Sequence, residues 1–209
     1  EPWEAVQTSA REIDVKLVER TGGKRRQKGT LGRTGDAGAL VKEREGIPID
    51  DLFSNVPEKA GGRGLWLALD TVQDPRNVGA IFRSAAFFGV QGILLTRDRS
   101  APLSDAVYDV ASGGMEYVPF SIQTNLSRAL DLARERDLWI MGTSEHADAD
   151  LSQIEPDRPW LLVLGNEETG LRRLTLEKCD TVCKISSGGP IPSLNVSVAA
   201  GIFMQKLMG

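Results

Sequence analysis

From Leu65 onward the sequence alternates short, continuous apolar runs with amphipathic segments, and this alternation constrains the fold more than any other feature. Runs such as Leu-Trp-Leu-Ala-Leu from Leu65 and Trp-Leu-Leu-Val-Leu from Trp160 lack the alternation of a strand with one wet face. They suit parallel strands covered on both faces. The pattern predicts strands at Leu65–Asp70, Gly92–Thr96, Tyr117–Ile122, Leu138–Thr143, Trp160–Leu164 and Thr181–Ile185. It predicts helices at Val78–Phe88, Ser104–Ala111, Leu126–Arg136, Leu174–Cys179 and Leu194–Met208. Gly89 reads as a helix stop, Ser104 and Asn125 as caps, and Asp157-Arg158-Pro159 as a turn before a strand. The fold class that follows is α/β, with a mostly parallel, doubly wound sheet.

Residues 1–63 read differently, as a flexible, partly basic extension that is polar and glycine-rich. Apolar and charged residues alternate from Ile13 to Val18 as in a short strand, and Gly61-Gly62-Arg63-Gly64 reads as a linker. Thr21 to Arg33 carries Lys24, Arg25, Arg26, Lys28 and Arg33 and no acid. Two readings are open for it: a solvated linker, or an arm that contacts phosphates and orders on binding. The net charge of −4 is not that of a typical nucleic-acid binder, although local patches decide such binding. No apolar run approaches the roughly 20 residues that span a membrane. Cys179 and Cys183 lack a second ligand pair, and His146 stands alone among loop acids, so no metal site is expected. Free thiols point to a reducing, cytoplasmic setting.

Three polar clusters adjoin hydrophobic elements. The first spans Leu65 to Gly89 and carries Asn77 and Arg83 at the start of a helix. The second, Trp160 to Leu171, ends in Gly165-Asn166-Glu167 and a further glycine, Gly170. The third follows the loop Ser187 to Pro192 and opens the last helix with Ser193, Leu194 and Asn195. Ser193 is suited to cap that helix, whose free N–H groups favour an electron-rich ligand. Each cluster also has a plain structural reading: a cap for Asn77 and Ser193, a surface position for Arg83, and a strand-to-helix turn for Gly165 and Glu167.

In order and spacing, the clusters resemble the three signature motifs of the SpoU/TrmH family of S-adenosyl-L-methionine-dependent RNA ribose 2′-O-methyltransferases, within the SPOUT superfamily. The resemblance covers Leu65 to the C-terminus and makes 64–209 the catalytic domain. It implies a C-terminal deep trefoil knot, which periodicity cannot reveal and which is rare among folds. It also implies a homodimer with RNA sites near the subunit interface. The matching positions imply catalytic roles for Asn77, Arg83, Glu167, Ser193 and Asn195. They imply a cofactor pocket around Gly142, Thr143, Gly165, Ile185 and Leu194, where the Gly165 backbone can approach the adenine for want of a side chain.

A ribose 2′-hydroxyl needs in-line positioning, help with its proton and stabilisation of oxyanion character. Arginine keeps its proton under nearly all conditions, so Arg83 suits contacting phosphate and polarising the oxygen better than acting as a base. One departure stands out: the family often has Ile-Pro-Met where this chain has Ile185-Ser186-Ser187. Leu171 to Asp180 is more similar to the large-subunit rRNA guanosine branch than to the tRNA branch. The resemblance therefore implies rRNA as substrate, with tRNA as the nearest variant. Two other readings compete: a non-catalytic RNA-binding member of the same fold, and a dinucleotide-binding enzyme. The second lacks a Gly-x-Gly-x-x-Gly after the first strand.

Overall fold

A computed structural model describes residues 2–13, 15–17 and 44–209. The chain divides into two units, Glu1–Leu31 and Gly32–Gly209. The basic positions Lys24, Arg25, Arg26, Lys28 and Arg33 lie outside the described residues. In the first unit, helix α1 (Pro2–Glu12) replaces the broken coil expected from composition. Proline fits its first position because the missing N–H would have no helical partner there. The strand expected at Ile13–Val18 does not form across its described residues. Ile13 N–H donates to Ser9 O and Val15 N–H to Ala10 O, so the alternation continues a helix end instead of pairing in a sheet.

The second unit opens with α2 (Ile49–Leu52) and α3 (Val56–Ala60), then β1 (Gly64–Leu69) and α4 (Pro75–Phe88). Next come β2 (Gly92–Thr96), α5 (Asp105–Ala111), α6 (Gly114–Tyr117), β3 (Phe120–Gln123) and α7 (Leu126–Glu135). β4 (Trp139–Thr143), the two-residue β5 (Ala149–Asp150) and β6 (Pro159–Leu164) follow. α8 (Arg173–Leu176), β7 (Thr181–Lys184) and α9 (Val196–Met208) complete the fold. The expected strand at Tyr117–Ile122 starts at Phe120, because Gly113 at φ 86 opens the short helix α6 before it.

The seven strands form one sheet in the order β3-β2-β1-β6-β4-β7-β5, and every pairing is parallel. β1 shows why its sequence is continuously apolar. Leu65, Leu67 and Leu69 pack with Ile81, Phe82 and Phe203 on one face. Trp66 and Ala68 pack with Leu52, Phe53 and Leu130 on the other. Both faces are dry, so no position is free to be polar. Leu52, Phe53 and Val56 are fully buried, so the packed structure begins before residue 64. The Trp66 indole N–H donates to Leu52 O at 3.1 Å and ties that early segment to the central strand. Among the described residues, no helix is long and apolar enough to cross a membrane.

The chain builds β1, β2 and β3 outward in one direction. It then returns to the other side of β1 for β6, β4 and β7. Ligands in such sheets bind beyond the carboxyl ends of strands where the direction reverses. The three polar clusters all lie at that end: after β1, after β6 and after β7.

Candidate active site

The first cluster is built by the start of α4. Asp74 caps the helix, its carboxylate accepting from Arg76 N–H at 2.8 Å, and Pro75 occupies the first turn. The cap is therefore Asp74, not Asn77, and the Asn77 side chain is left free for other partners. Asn77 is 7% exposed. Its amide donates to Glu167 Oε1 at 2.9 Å and its carbonyl oxygen accepts from Asn195 Nδ2 at 3.0 Å.

The direction of this chain is forced. Asn195 caps α9, its Oδ1 accepting from Ser197 N–H at 2.9 Å and Val198 N–H at 3.4 Å. Only its NH₂ remains to face Asn77. Glu167 is a carboxylate and can only accept, so Asn77 must turn its NH₂ to Glu167 and its oxygen to Asn195. One residue from each cluster is thus fixed in rotamer and amide orientation. The cap of the last helix is Asn195 in place of the expected Ser193. The helix begins at Val196, two residues later than its apolar pattern suggested, leaving Ser193 and Leu194 in the preceding loop.

Glu167 also accepts from the backbone N–H groups of Asp74 and Gln73, both at 3.3 Å. Its carboxylate thus sits at the positive end of α4, where an anion is favoured. Burial pushes its pKa up. The hydrogen bonds from Asn77 and from the backbone outweigh burial and hold the pKa below the ordinary 4.5. A depressed acid stabilises the fold above its unfolded pKa and loses that contribution as pH falls through the folded one. The melting-temperature gap between wild type and Glu167→Gln is therefore expected to be constant from pH 6 to 8 and to shrink below about pH 4.5. Thermal melts across that range check it; a gap that widens on acidification contradicts the assignment.

The loop carrying Glu167 is closed by Asn166, which the sequence places in the second cluster without a role of its own. Asn166 and Gly170 exchange backbone hydrogen bonds at 3.0 Å, with Gly170 at φ 67. The Asn166 Oδ1 accepts from Glu168 and Thr169 N–H, and its NH₂ donates to Thr71 O at 2.9 Å, linking the second cluster to the first. A β-carbon on Gly165 would stand 2.4 Å from Gly170 C and 2.5 Å from Leu171 N. The side on which a side chain would stand at Gly165 is thus filled by its own loop, which requires glycine there, while Gly165 itself lines the cavity described below. Asp70 is a second residue the sequence concealed. Fully buried at the end of β1, it pairs with Arg172 Nη2 at 2.6 Å and accepts from Thr175 Oγ1 at 2.7 Å. Its signal was an acid closing an otherwise apolar run.

Beside the Asn195–Asn77–Glu167 chain lies a cavity of about 740 Å³. Thr143, Gly165, Ile185 and Leu194 all line it, as do Glu167, Ser193 and Asn195. Gly142 is buried behind it against Cys179 and Leu171. The Thr143 hydroxyl donates to Val163 O at 3.2 Å, so it braces β4 on β6. Leu164, Cys183 and Phe203 give the cavity an apolar floor. Burial raises the Cys183 pKa and keeps the thiol neutral, so it serves as lining. Cys179 is pushed up to about 12, first by burial and then by Asp180. His146 sits exposed on the rim, 3.5 Å from Glu145.

Ser186 and Ser187 have defined work in the loop. Ser186 donates to Asp150, which the hydroxyls of Ser152 and Ser186 hold at a pKa of about 2. The Ser187 hydroxyl donates its one proton to Ile191 O at 2.7 Å, with Gly189 O at 3.0 Å as the alternative acceptor, folding the loop on itself.

Among the described catalytic and cofactor candidates, Arg83 is the one set apart from the cavity and the hydrogen-bonded chain. It is exposed, and its Nη1 reaches Ser112 Oγ at 3.4 Å on the α5 side. Six residues along a helix turn a side chain by about 120° from its start, so Asn77 and Arg83 face different directions.

The family model described as the SpoU rRNA Methylase family matches residues 64–205. The 23S rRNA (guanosine-2'-O-)-methyltransferase RlmB of Nitrosomonas europaea is 44% identical over 174 residues, covering 83% of this chain and 65% of that protein. RlmB of Pseudomonas aeruginosa is 40% identical over 159 residues, 76% of this chain and 64% of its own. The chain thus spans slightly less than two thirds of the length of these relatives. The crystal structure of an AdoMet-bound rRNA methyltransferase from Sinorhizobium meliloti superposes with a TM-score of 0.71 at 26% identity, over 79% of this chain and 61% of that one. The three clusters and the sheet that aligns them lie inside the matched region, and the chain belongs to the SpoU rRNA methylase family.

Proposed function

We propose that this protein transfers a methyl group from S-adenosyl-L-methionine to a ribose 2′-hydroxyl of RNA, a guanosine of large-subunit rRNA in the cytoplasm. The observation that carries the reading is the Asn195–Asn77–Glu167 chain standing beside the cavity. The RlmB relatives and the AdoMet-bound S. meliloti enzyme support the substrate and the cofactor.

The cavity fits the cofactor. Its volume lies within the range of small-molecule sites, and it combines an apolar floor with a polar rim. Ile185 and Leu194 would hold the adenine, with backbone groups of the loops after β6 and β7 reading its edge. When bound, the sulfonium supplies an activated methyl group and its leaving group. The protein's part is positional. Ser193 and Asn195 orient the ribose at the mouth of α9, whose positive end favours oxyanion character. Asn77 and Glu167 lock Asn195. The guanidinium of Arg83 contacts RNA phosphate and polarises the hydroxyl. The basic segment Lys24, Arg25, Arg26, Lys28 and Arg33 adds phosphate contacts. The same reading includes a C-terminal trefoil knot.

Arg83 stands apart from the cavity of its own chain, so this reading places it near a subunit interface, against the cavity of a second copy. Val198 and Ile202, one turn apart on α9, are 51% and 38% exposed; Leu194 and Ile191 add 51% and 69%. Such an apolar face suits a homodimer contact. Arg83→Ala and Asn195→Ala are each expected to be inactive alone, and a mixture exchanged into mixed dimers is expected to recover part of the activity. No recovery in verified mixed dimers would contradict a site shared between copies.

A further inference from the structure

Outside the site described above, a second cavity of about 620 Å³ opens between residues 44–48 and the carboxyl ends of β2 and β3. It lies on the same edge of the sheet as the first. β3 is three strand spacings from β6, about 14 Å. Arg44, Glu45, Arg97, Ser121, Ile122 and Gln123 line it.

Its lining is polar, with two arginines against one acid, Glu45, so the balance of charge is positive. Arg44 is held in place, its Nη1 donating to Met115 O and its guanidinium 5.9 Å from the centre of the Phe120 ring. The exposed Arg97 side chain has no hydrogen-bond or ion-pair partner among the described residues, and only its backbone N–H is committed, to Gln123 O at 2.9 Å.

Strand pairing leaves a backbone edge free here. Ile93 and Arg97 donate to Pro119 O and Gln123 O, which turns the odd-numbered residues of β3 toward β2. The even-numbered ones face outward. Ile47 N–H takes Phe120 O at 2.7 Å, and the Ile122 N–H and C=O are the next pair along that edge. Gln123 donates its amide to Ser121 Oγ at 3.0 Å, leaving its carbonyl oxygen as an acceptor.

A donor and acceptors beside two arginines match a nucleotide, with the base edge on Ile122 and Gln123 and the phosphate on Arg97 and Arg44. We infer that this cavity is a second RNA subsite, binding an unpaired nucleotide that flanks the methylated one. The inference rests on the RNA methyltransferase reading and assigns that reading a recognition site outside the three motifs. The subsite reads the RNA strand and leaves cofactor binding untouched.

The test uses the full chain, a fluorescently labelled single-stranded RNA whose sequence includes the methylated guanosine, and salt-dependent anisotropy titrations. Arg97→Ala is expected to weaken RNA binding several-fold and to reduce the salt slope by about 0.7, one single-strand phosphate contact. Arg97→Glu is expected to weaken it further. Calorimetric affinity for S-adenosyl-L-methionine stays at the wild-type value in both. Arg63→Ala removes an equal charge just before β1, at the opposite edge of the sheet, and is expected to bind RNA as wild type does. Wild-type RNA binding by Arg97→Glu, or an equal loss in Arg63→Ala, overturns the subsite while leaving the methyltransferase reading intact. RNA binding by wild type without methyl transfer, with Arg97→Ala weakened, overturns that reading and keeps the subsite. An absence of RNA binding by wild type overturns both.

Discussion

Asn195→Asp is expected to leave the protein folded and to stop methyl transfer. The aspartate oxygen still accepts from Ser197 and Val198 N–H, and a negative charge at the start of α9 is favourable by about 0.3–1 kcal/mol. The lost group is the NH₂ that donates to Asn77 Oδ1. Two acceptors would then face each other, and Asn77 can relieve this only by flipping its amide. The flip turns its oxygen toward Glu167, which also only accepts. No amide orientation satisfies both neighbours, so the chain breaks at one end or the other. The expected loss in kcat is about a hundredfold or more, the scale seen when one preorganised donor is removed from a reacting centre. Asn195→Ala separates the two roles. It also loses the cap, about 1 kcal/mol, which lowers the melting temperature by about 2–4 °C in a domain of this size. Steady-state kinetics with thermal melts of both variants decide the matter. A stable Asn195→Asp protein with wild-type kcat contradicts the role given to this residue.

Gly165→Ala is expected to be severely damaging for a single added methyl group. The added carbon would meet Gly170 and Leu171 backbone atoms at 2.4–2.6 Å, and backbone cannot rotate away. Relief requires opening the Asn166–Gly170 closure, which holds Glu167 in place and forms one wall of the cavity. Overpacking of this kind costs about 3 kcal/mol, the upper end of the usual range. Binding of S-adenosyl-L-methionine is expected to fall more than about tenfold, because a misplaced wall loses contacts along the ligand's length. Gly170→Ala provides the contrast. Its backbone is left-handed at φ 67, but no atom lies within 4 Å of an added carbon. Its cost is conformational only, about 1 kcal/mol. Denaturant melts and calorimetry on the two variants test this; equal effects would show that loop strain, not the close approach, governs the site.

The sequence displays the α/β class because β1 and β6 are apolar at every position and β2 at all but its last, Thr96, and only a sheet covered on both faces asks for that. Their neighbours were harder to read. The apolar pattern starts a strand at Tyr117, yet Gly113 and Gly114 open the helix α6 and delay β3 to Phe120. Leu52, Phe53 and Val56 were hidden in a polar stretch, because short helices of four and five residues carry too little periodicity to register. Ala149–Asp150 is too short a strand to announce itself. Within the site, Asn77, Glu167 and Asn195 were legible as residue types at helix mouths and glycine turns. Their hydrogen-bonded order was not, since it depends on contacts between positions 90 and 118 residues apart. Ser193 as cap failed for a local reason. Asn195 is at least as good a cap, and its position leaves the preceding loop extended. The roles of Asp70 and Asn166 were not legible because each acts through tertiary partners, Arg172 and Thr175 for one and Thr71 for the other.

The central claim is methyl transfer to a ribose. Its most direct test incubates the protein with labelled S-adenosyl-L-methionine and unmodified ribosomal RNA, with tRNA in parallel, and maps ribose positions that become resistant to alkaline cleavage. The expected result is one resistant guanosine in the large-subunit RNA, absent when Asn195→Asp replaces the wild-type protein. Failure to label either RNA, by a protein shown calorimetrically to bind the cofactor, would contradict the account.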